Sequence, residues 1–177
     1  NMIYPNSDLE KEEISSSGLY GKSGLNRTMH YDKNKTLDFE YSKDTLTNFG
    51  RLFSSEGDEN SPLRKYSAKI YSIMKTIKKS KGIVLIYSNF IDGGCVPIAL
   101  ALEEIGFTRF GNKNKSLFKT PPVNKYKIPG TNSNGKYVMI TGNKNLSISN
   151  KDDLKACTDE DNINGEKVKV IIISRAG

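Results

Sequence analysis

Two stretches of the chain are almost continuously apolar, Ile83 to Ile86 and, with Lys169 alone intervening, Val168 to Ile173, and another runs from Tyr137 to Ile140. Continuity without alternation predicts strands covered on both faces, the habit of a parallel sheet. Helical spacing fills the intervals. Ser61-Pro62 supplies a cap and a first-turn proline, and Leu63, Tyr66, Ile70, Ile73, Met74 and Ile77 recur at the helical period until Gly82. A second helix, Pro97 to Ile105, presents Ile98, Ala101, Leu102 and Ile105 and leaves through Gly106. A third is predicted from about Lys151 to Glu160, with Ser149 and Asp152 spaced as a capping box and Asp153 suited to the helix dipole. Asn164-Gly165 then turns the chain into the last apolar run. Helix, strand, helix, strand, helix, strand describes an α/β fold, a parallel sheet with flanking helices and right-handed connections over residues 61–177.

Residues 1–60 show no sustained period. Ser15-Ser16-Ser17-Gly18, Gly21, Gly24, Gly50 and the acidic patch Glu56-Gly57-Asp58-Glu59 read as an irregular arm, with one strand near Leu37 to Tyr41. Irregular segments of that length are uncommon inside a compact domain, so the arm is expected to pack against something outside this chain.

Charge sharpens the picture. The formal net charge is +7, but residues 1–60 carry 7 basic and 11 acidic side chains, residues 61–150 carry 15 and 3, and residues 151–177 carry 5 and 6. From Thr108 to Lys136 there are seven basic residues and no acid, in a loop rich in Pro, Gly and Asn. A basic zone between near-neutral ones suits a polyanion. Against this, Lys and Asn together number 39 while Arg numbers five, as a codon bias would produce, and phosphate readers usually include Arg. No apolar run reaches membrane-spanning length, no charged-then-apolar leader opens the sequence, and Cys95 and Cys157 stand apart as ordinary reduced thiols. These features together predict an intracellular protein without a membrane partner.

Catalytic chemistry is hard to find. Gly21-Lys22-Ser23 ends like a phosphate-binding loop, but the first glycine of that motif would fall on Ser16, and no apolar strand precedes it. His30 has no Asp, Cys or Ser at a recognisable spacing and reads as a surface residue. Glu103 and Glu104 are adjacent on a helix and point different ways, so at least one is expected on a solvated face. Neither a catalytic residue nor a metal ligand can be nominated.

The strand ends are more informative. Ser88-Asn89, Thr141-Gly142 and Ser174-Arg175 each follow an apolar run. In open parallel sheets ligands gather beyond the carboxyl ends of the strands, where hydroxyls and free amides suit phosphate oxygens. A single polar tip is an ordinary turn; three beside a basic loop favour a ligand. Lys113, Lys115, Lys119, Lys125 and Lys127 would add a diffuse, salt-sensitive attraction.

The blocks "KGIVLIYSNFIDGGCVPIALALEEIGFTRF", "YVMITGNKNLS" and "DEDNINGEKVKVIIISRAG" resemble the second RecA-like domain of superfamily 2 helicases. The likeness is nearest to the helicase and transcription-factor ATPases of large double-stranded DNA viruses, and it covers residues 62–177. The strand ending at Tyr87-Ser88 corresponds to motif IV, Thr141-Gly142 to a turn that touches the bound strand, and Ser174-Arg175-Ala176-Gly177 to the opening of motif V. The Walker A loop, the acidic Walker B box and motif VI have no counterpart here. The resemblance therefore implies a partial RecA-like domain, cut within motif V, whose first lobe lies outside these residues.

From that likeness follows an expected function: part of an ATP-dependent helicase or translocase that holds the backbone of single-stranded DNA or RNA. ATP and Mg2+ would be cofactors of the complete two-lobed protein only, since such sites form between lobes. Viral transcription machinery would be a further partner, and the host cytoplasm or virion the setting. The alternative is a non-enzymatic α/β interaction module whose acidic arm docks a partner. A small-molecule enzyme ranks third, because no acid, base or nucleophile can be named.

Overall fold

A computed structural model of the 177-residue chain describes residues 2–6 and 16–175. The first sixty residues are more ordered than their pattern suggests. A 3-10 turn at Ser16–Leu19 leads into helix α1 (Gly21–Thr28), and strands β1 (Met29–Asp32) and β2 (Leu37–Tyr41) form an antiparallel hairpin with Met29 opposite Tyr41. The hairpin turn closes because the Asp32 carboxylate accepts the amides of Asn34 (2.9 Å) and Lys35 (3.2 Å). Helix α2 (Lys43–Phe49) begins at Ser42, whose hydroxyl accepts the Thr45 amide at 3.1 Å.

This segment packs inward. Met2, Tyr4, Leu25, Met29, Phe39, Leu52 and Phe53 are buried in the same apolar cluster as the sheet, so the described part of the arm packs on this chain itself. Aromatic residues separated by polar ones carry no period in sequence, yet each covers apolar area that would otherwise face water. Tyr4 lies so close over α1 that any side-chain carbon at Gly24 would overlap its ring.

The predicted helix from Ser61 is two helices, α3 (Pro62–Tyr66) and α4 (Ala68–Lys79). Both serines act as caps: Ser61 Oγ accepts the Arg64 amide (3.4 Å), and Ser67 Oγ accepts the Ile70 amide (3.3 Å). The second cap breaks the run, because a serine side chain offers the backbone an alternative to the helical bond.

Strand β3 (Val84–Ser88) follows, then a π-turn at Ile91–Cys95 and helix α5 (Val96–Glu104), strands β4 (Thr108–Arg109) and β5 (Lys136–Ile140), helix α6 (Asn150–Thr158) and strand β6 (Val170–Ser174). The four strands form one parallel sheet in the order β3-β6-β5-β4, so the architecture is α/β and consistent with a partial RecA-like fold. One face, with Ile86, Tyr137, Met139, Val170 and Ile172, joins the main core under α5. The other, with Val138 and Ile140, meets Ala156 and Cys157 of α6.

Three details depart from expectation. The last strand begins later than Val168, because the buried Asn162 side chain takes the Lys167 and Val168 amides (both 2.9 Å) and holds the lead-in as a turn. Ser149 makes no side-chain cap; Asp153 is buried and faces the Asn114 amide group instead. Burial pushes the Asp153 carboxyl up, and the Asn114 hydrogen bond works against the shift. Finally, β3 is an edge strand: Leu85 and Tyr87 stay 64% and 60% exposed because α6 covers β5 and β6 only.

Neither glutamate at the end of α5 faces solvent. Glu104 accepts Tyr41 Oη (2.6 Å) and Arg51 Nε (3.1 Å), and its side chain is 5% exposed. Glu103 is buried and accepts the Leu117 amide (2.9 Å), the Phe118 amide (3.1 Å), Tyr137 Oη (2.7 Å) and the Ser116 hydroxyl. Burial, and then this carboxylate, push the Tyr137 phenol well above its ordinary value, so it remains a donor. Replacing Glu103 by alanine strands three buried donors and a half-buried one, an expected loss of about 3–5 kcal/mol, whereas Glu103→Gln keeps one acceptor oxygen and should lose about 2 kcal/mol. Urea-unfolding midpoints measure both; a loss below about 1 kcal/mol for the alanine variant would remove Glu103 as an organiser of the fold.

Candidate functional site

Parallel register decides which sequence-nominated residues meet. Ser88 pairs with Ser174, and Ile140 pairs with Ile173, which brings Thr141 level with Ser174. All three polar tips therefore share the carboxyl edge of the sheet. Their accessibility differs. Asn89, Gly142 and Arg175 are exposed and Ser88 is half-buried, while Thr141 and Ser174 are buried.

Each hydroxyl has its own fate. The Thr141 amide donates to Ser147 Oγ at 2.7 Å, and Thr141 Oγ1 accepts the Asn143 amide at 3.2 Å, so this threonine closes its own turn. The Ser88 hydroxyl accepts the Phe90 amide (3.3 Å) and donates to the Phe90 carbonyl (3.0 Å). That carbonyl also accepts the Cys95 amide at 3.0 Å, so the residue after Asn89 is clamped on both sides. Ser174 Oγ is buried with no hydrogen-bond partner. An unpaired buried hydroxyl costs about 1–3 kcal/mol, and among the described residues Tyr4 Oη shares that state in the core.

The basic loop is divided between two ends of the sheet. Lys113, Lys115 and Lys119 are exposed on the part that leaves β4, and Lys119 is paired with Glu40 at 2.8 Å. Lys125 and Lys127 are exposed at the opposite end, where the Tyr126 amide bonds Gly106 ahead of β4 and Tyr126 Oη reaches the Lys78 carbonyl. They do not join the polar tips. The cause lies in topology: a loop joining neighbouring parallel strands must travel the length of the sheet.

Two hollows meet at the tip of β3. One, of about 260 Å³, lies between α4, β3 and α5 and includes Lys69, Ile73, Ser88 and Gly94. The other, an open cleft of about 650 Å³, lies between the start of α1 and the turn after β3, with Tyr20 and Lys22 on one side and Ile91 and Asp92 on the other. Asn89, Phe90 and Gly93 line both. Phe90, Tyr20, Lys69 and Gly94 escaped sequence reasoning. Gly21-Lys22 follows a 3-10 turn rather than a strand, and it borders the cleft. His30 is exposed, and no cluster of His, Cys, Asp or Glu among the described residues could hold a metal. No described helix is long and apolar enough to cross a membrane.

No known protein family matches this chain, and a search of curated proteins finds no relative.

The tip depends on Gly94. An added side-chain carbon there would collide with the Ser88 hydroxyl and lie 3.0 Å from Ser88 Cβ. Gly94→Ala is expected to destabilise by about 1–3 kcal/mol, and Ser88→Gly in the same chain should restore part of the loss. A double-mutant cycle on thermal unfolding measures the coupling; strict additivity would show that the two residues do not contact.

Proposed function

We propose that this chain is the strand-holding part of a nucleic-acid-dependent NTPase of the superfamily 2 helicase type, acting with a second RecA-like lobe that supplies the phosphate and magnesium contacts. The observation that carries the reading is the alignment of Ser88, Thr141 and Ser174 along one edge of a parallel sheet, with Asn89, Gly142 and Arg175 exposed beside them. Exposed amides and a guanidinium in that position suit a sugar-phosphate backbone and carry no base preference. Ser174 adds a hydroxyl that is buried without a hydrogen-bond partner at the same edge. In this reading the partner is single-stranded DNA or RNA, ATP and Mg2+ bind only where two lobes meet, and the setting is a host cytoplasm or virion.

A second reading, a non-enzymatic α/β module, is favoured by the open face of β3, where Leu85 and Tyr87 lie exposed beside the half-buried Ile171 and Ile173. Apolar area in that arrangement suits a protein partner.

The first reading predicts binding of a fluorescent single-stranded oligonucleotide at low salt, with affinity falling as salt rises. Arg175→Ala should weaken it about tenfold and flatten the log-log salt slope by about 0.7, the share of one phosphate on a single strand. Anisotropy titrations measure both. Undetectable binding at low salt, an unchanged slope in the variant, or ATP turnover by this chain alone would overturn it.

A further inference from the structure

We propose that Phe90, with Tyr20 across the cleft, is a stacking platform for the bases of a single-stranded nucleic acid. The inference rests on the reading above and adds the part of the ligand that the backbone contacts leave unread.

Phe90 is 61% exposed and Tyr20 37% exposed, and both line the open cleft of about 650 Å³. Phe90 also lines the adjoining hollow, so it stands where the two spaces meet. An aromatic ring held in water forgoes the stabilisation of burial, and flexibility does not explain its position. Its backbone is pinned by the Ser88 hydroxyl on both the amide and the carbonyl, by the Cys95 amide, and by the close packing of Gly94 on Ser88. The turn is built to hold the ring outward.

The surroundings select the occupant. Lys22 borders one hollow and Lys69 the other, both exposed, and Asn89 lies between them. A cation bordering each hollow that meets an exposed apolar ring suits a ligand carrying both phosphates and flat bases; an apolar peptide would leave both lysines unanswered. Among the described residues Asp92 is the one acid bordering the cleft, and its charge also reaches Tyr31: burial, and then Asp92, push that phenol up. An open cleft suits a chain passing through, and every base offers a π-face, so the platform would tolerate any sequence.

The test uses the whole chain and two labelled probes of equal length and charge, a twelve-residue oligothymidylate and its abasic counterpart. Anisotropy should show the chain preferring the probe with bases. Phe90→Ala should weaken that probe about tenfold, or about 1.4 kcal/mol, leave the abasic probe and the salt slope unchanged, and abolish the preference. Phe90→Trp should retain it, and Tyr20→Ala should lose a smaller part. Because both rings are exposed, thermal unfolding should not shift. Equal binding of both probes by the natural chain, or an unchanged affinity in Phe90→Ala, would overturn the platform while leaving the backbone reading in place. Failure of the natural chain to bind either probe would overturn both.

Discussion

A buried carboxylate holds the parts of this protein in register. Glu103 ends a helix on one face of the sheet, yet its acceptors are filled from the loop at residues 116–118 and from the middle strand through Tyr137. Taking a carboxylate out of water is costly, and the cost is tolerated only when several donors converge on it. Ordering those donors fixes the first part of a loop that has little apolar content of its own. The loop then becomes a dock: the Phe39 amide bonds the Leu117 carbonyl at 2.9 Å, and the Lys119 amide bonds the Phe39 carbonyl at 3.2 Å. In this way one acidic side chain couples the sheet to the N-terminal hairpin.

Glu104 repeats the device on the neighbouring face. Tyr41 Oη donates to it and also accepts the Phe53 amide at 3.2 Å, while the Arg51 guanidinium lies over the Tyr41 ring at 5.3 Å. Adjacent glutamates on one helix thus tie the hairpin and the turn after α2 to the sheet, Glu103 through the loop at residues 116–118 and Glu104 directly.

The carboxyl edge of the sheet has a different character. There Ser174 Oγ has no hydrogen-bond partner, Asn89 is exposed and accepts Tyr87 Oη at 2.7 Å, Arg175 faces solvent, and Phe90 is held in water by a tightly bonded turn. Exposed polar and aromatic groups gathered at one strand edge, beside glutamates whose acceptors are filled, are the ground on which a ligand is proposed there. The open flank of β3 is a separate feature, apolar rather than polar, and its chemistry suits a different kind of contact.

Periodicity alone established the alternation of helices and strands from Ser61 onward, the parallel pairing of apolar runs, and the three polar tips. These are local or nearest-neighbour properties, set by which faces must leave water. The packing of residues 2–6 and 18–60 onto the domain was illegible, because Tyr4, Phe39 and Phe53 become a surface only when the chain brings them together. The same holds for the buried roles of Glu103 and Glu104, the division of the basic loop between opposite ends of the sheet, and the exposure of Phe90. Sequence records which side chains could be buried or paired; only the tertiary arrangement decides which are, since burial and pairing belong to contacts between residues far apart in the chain.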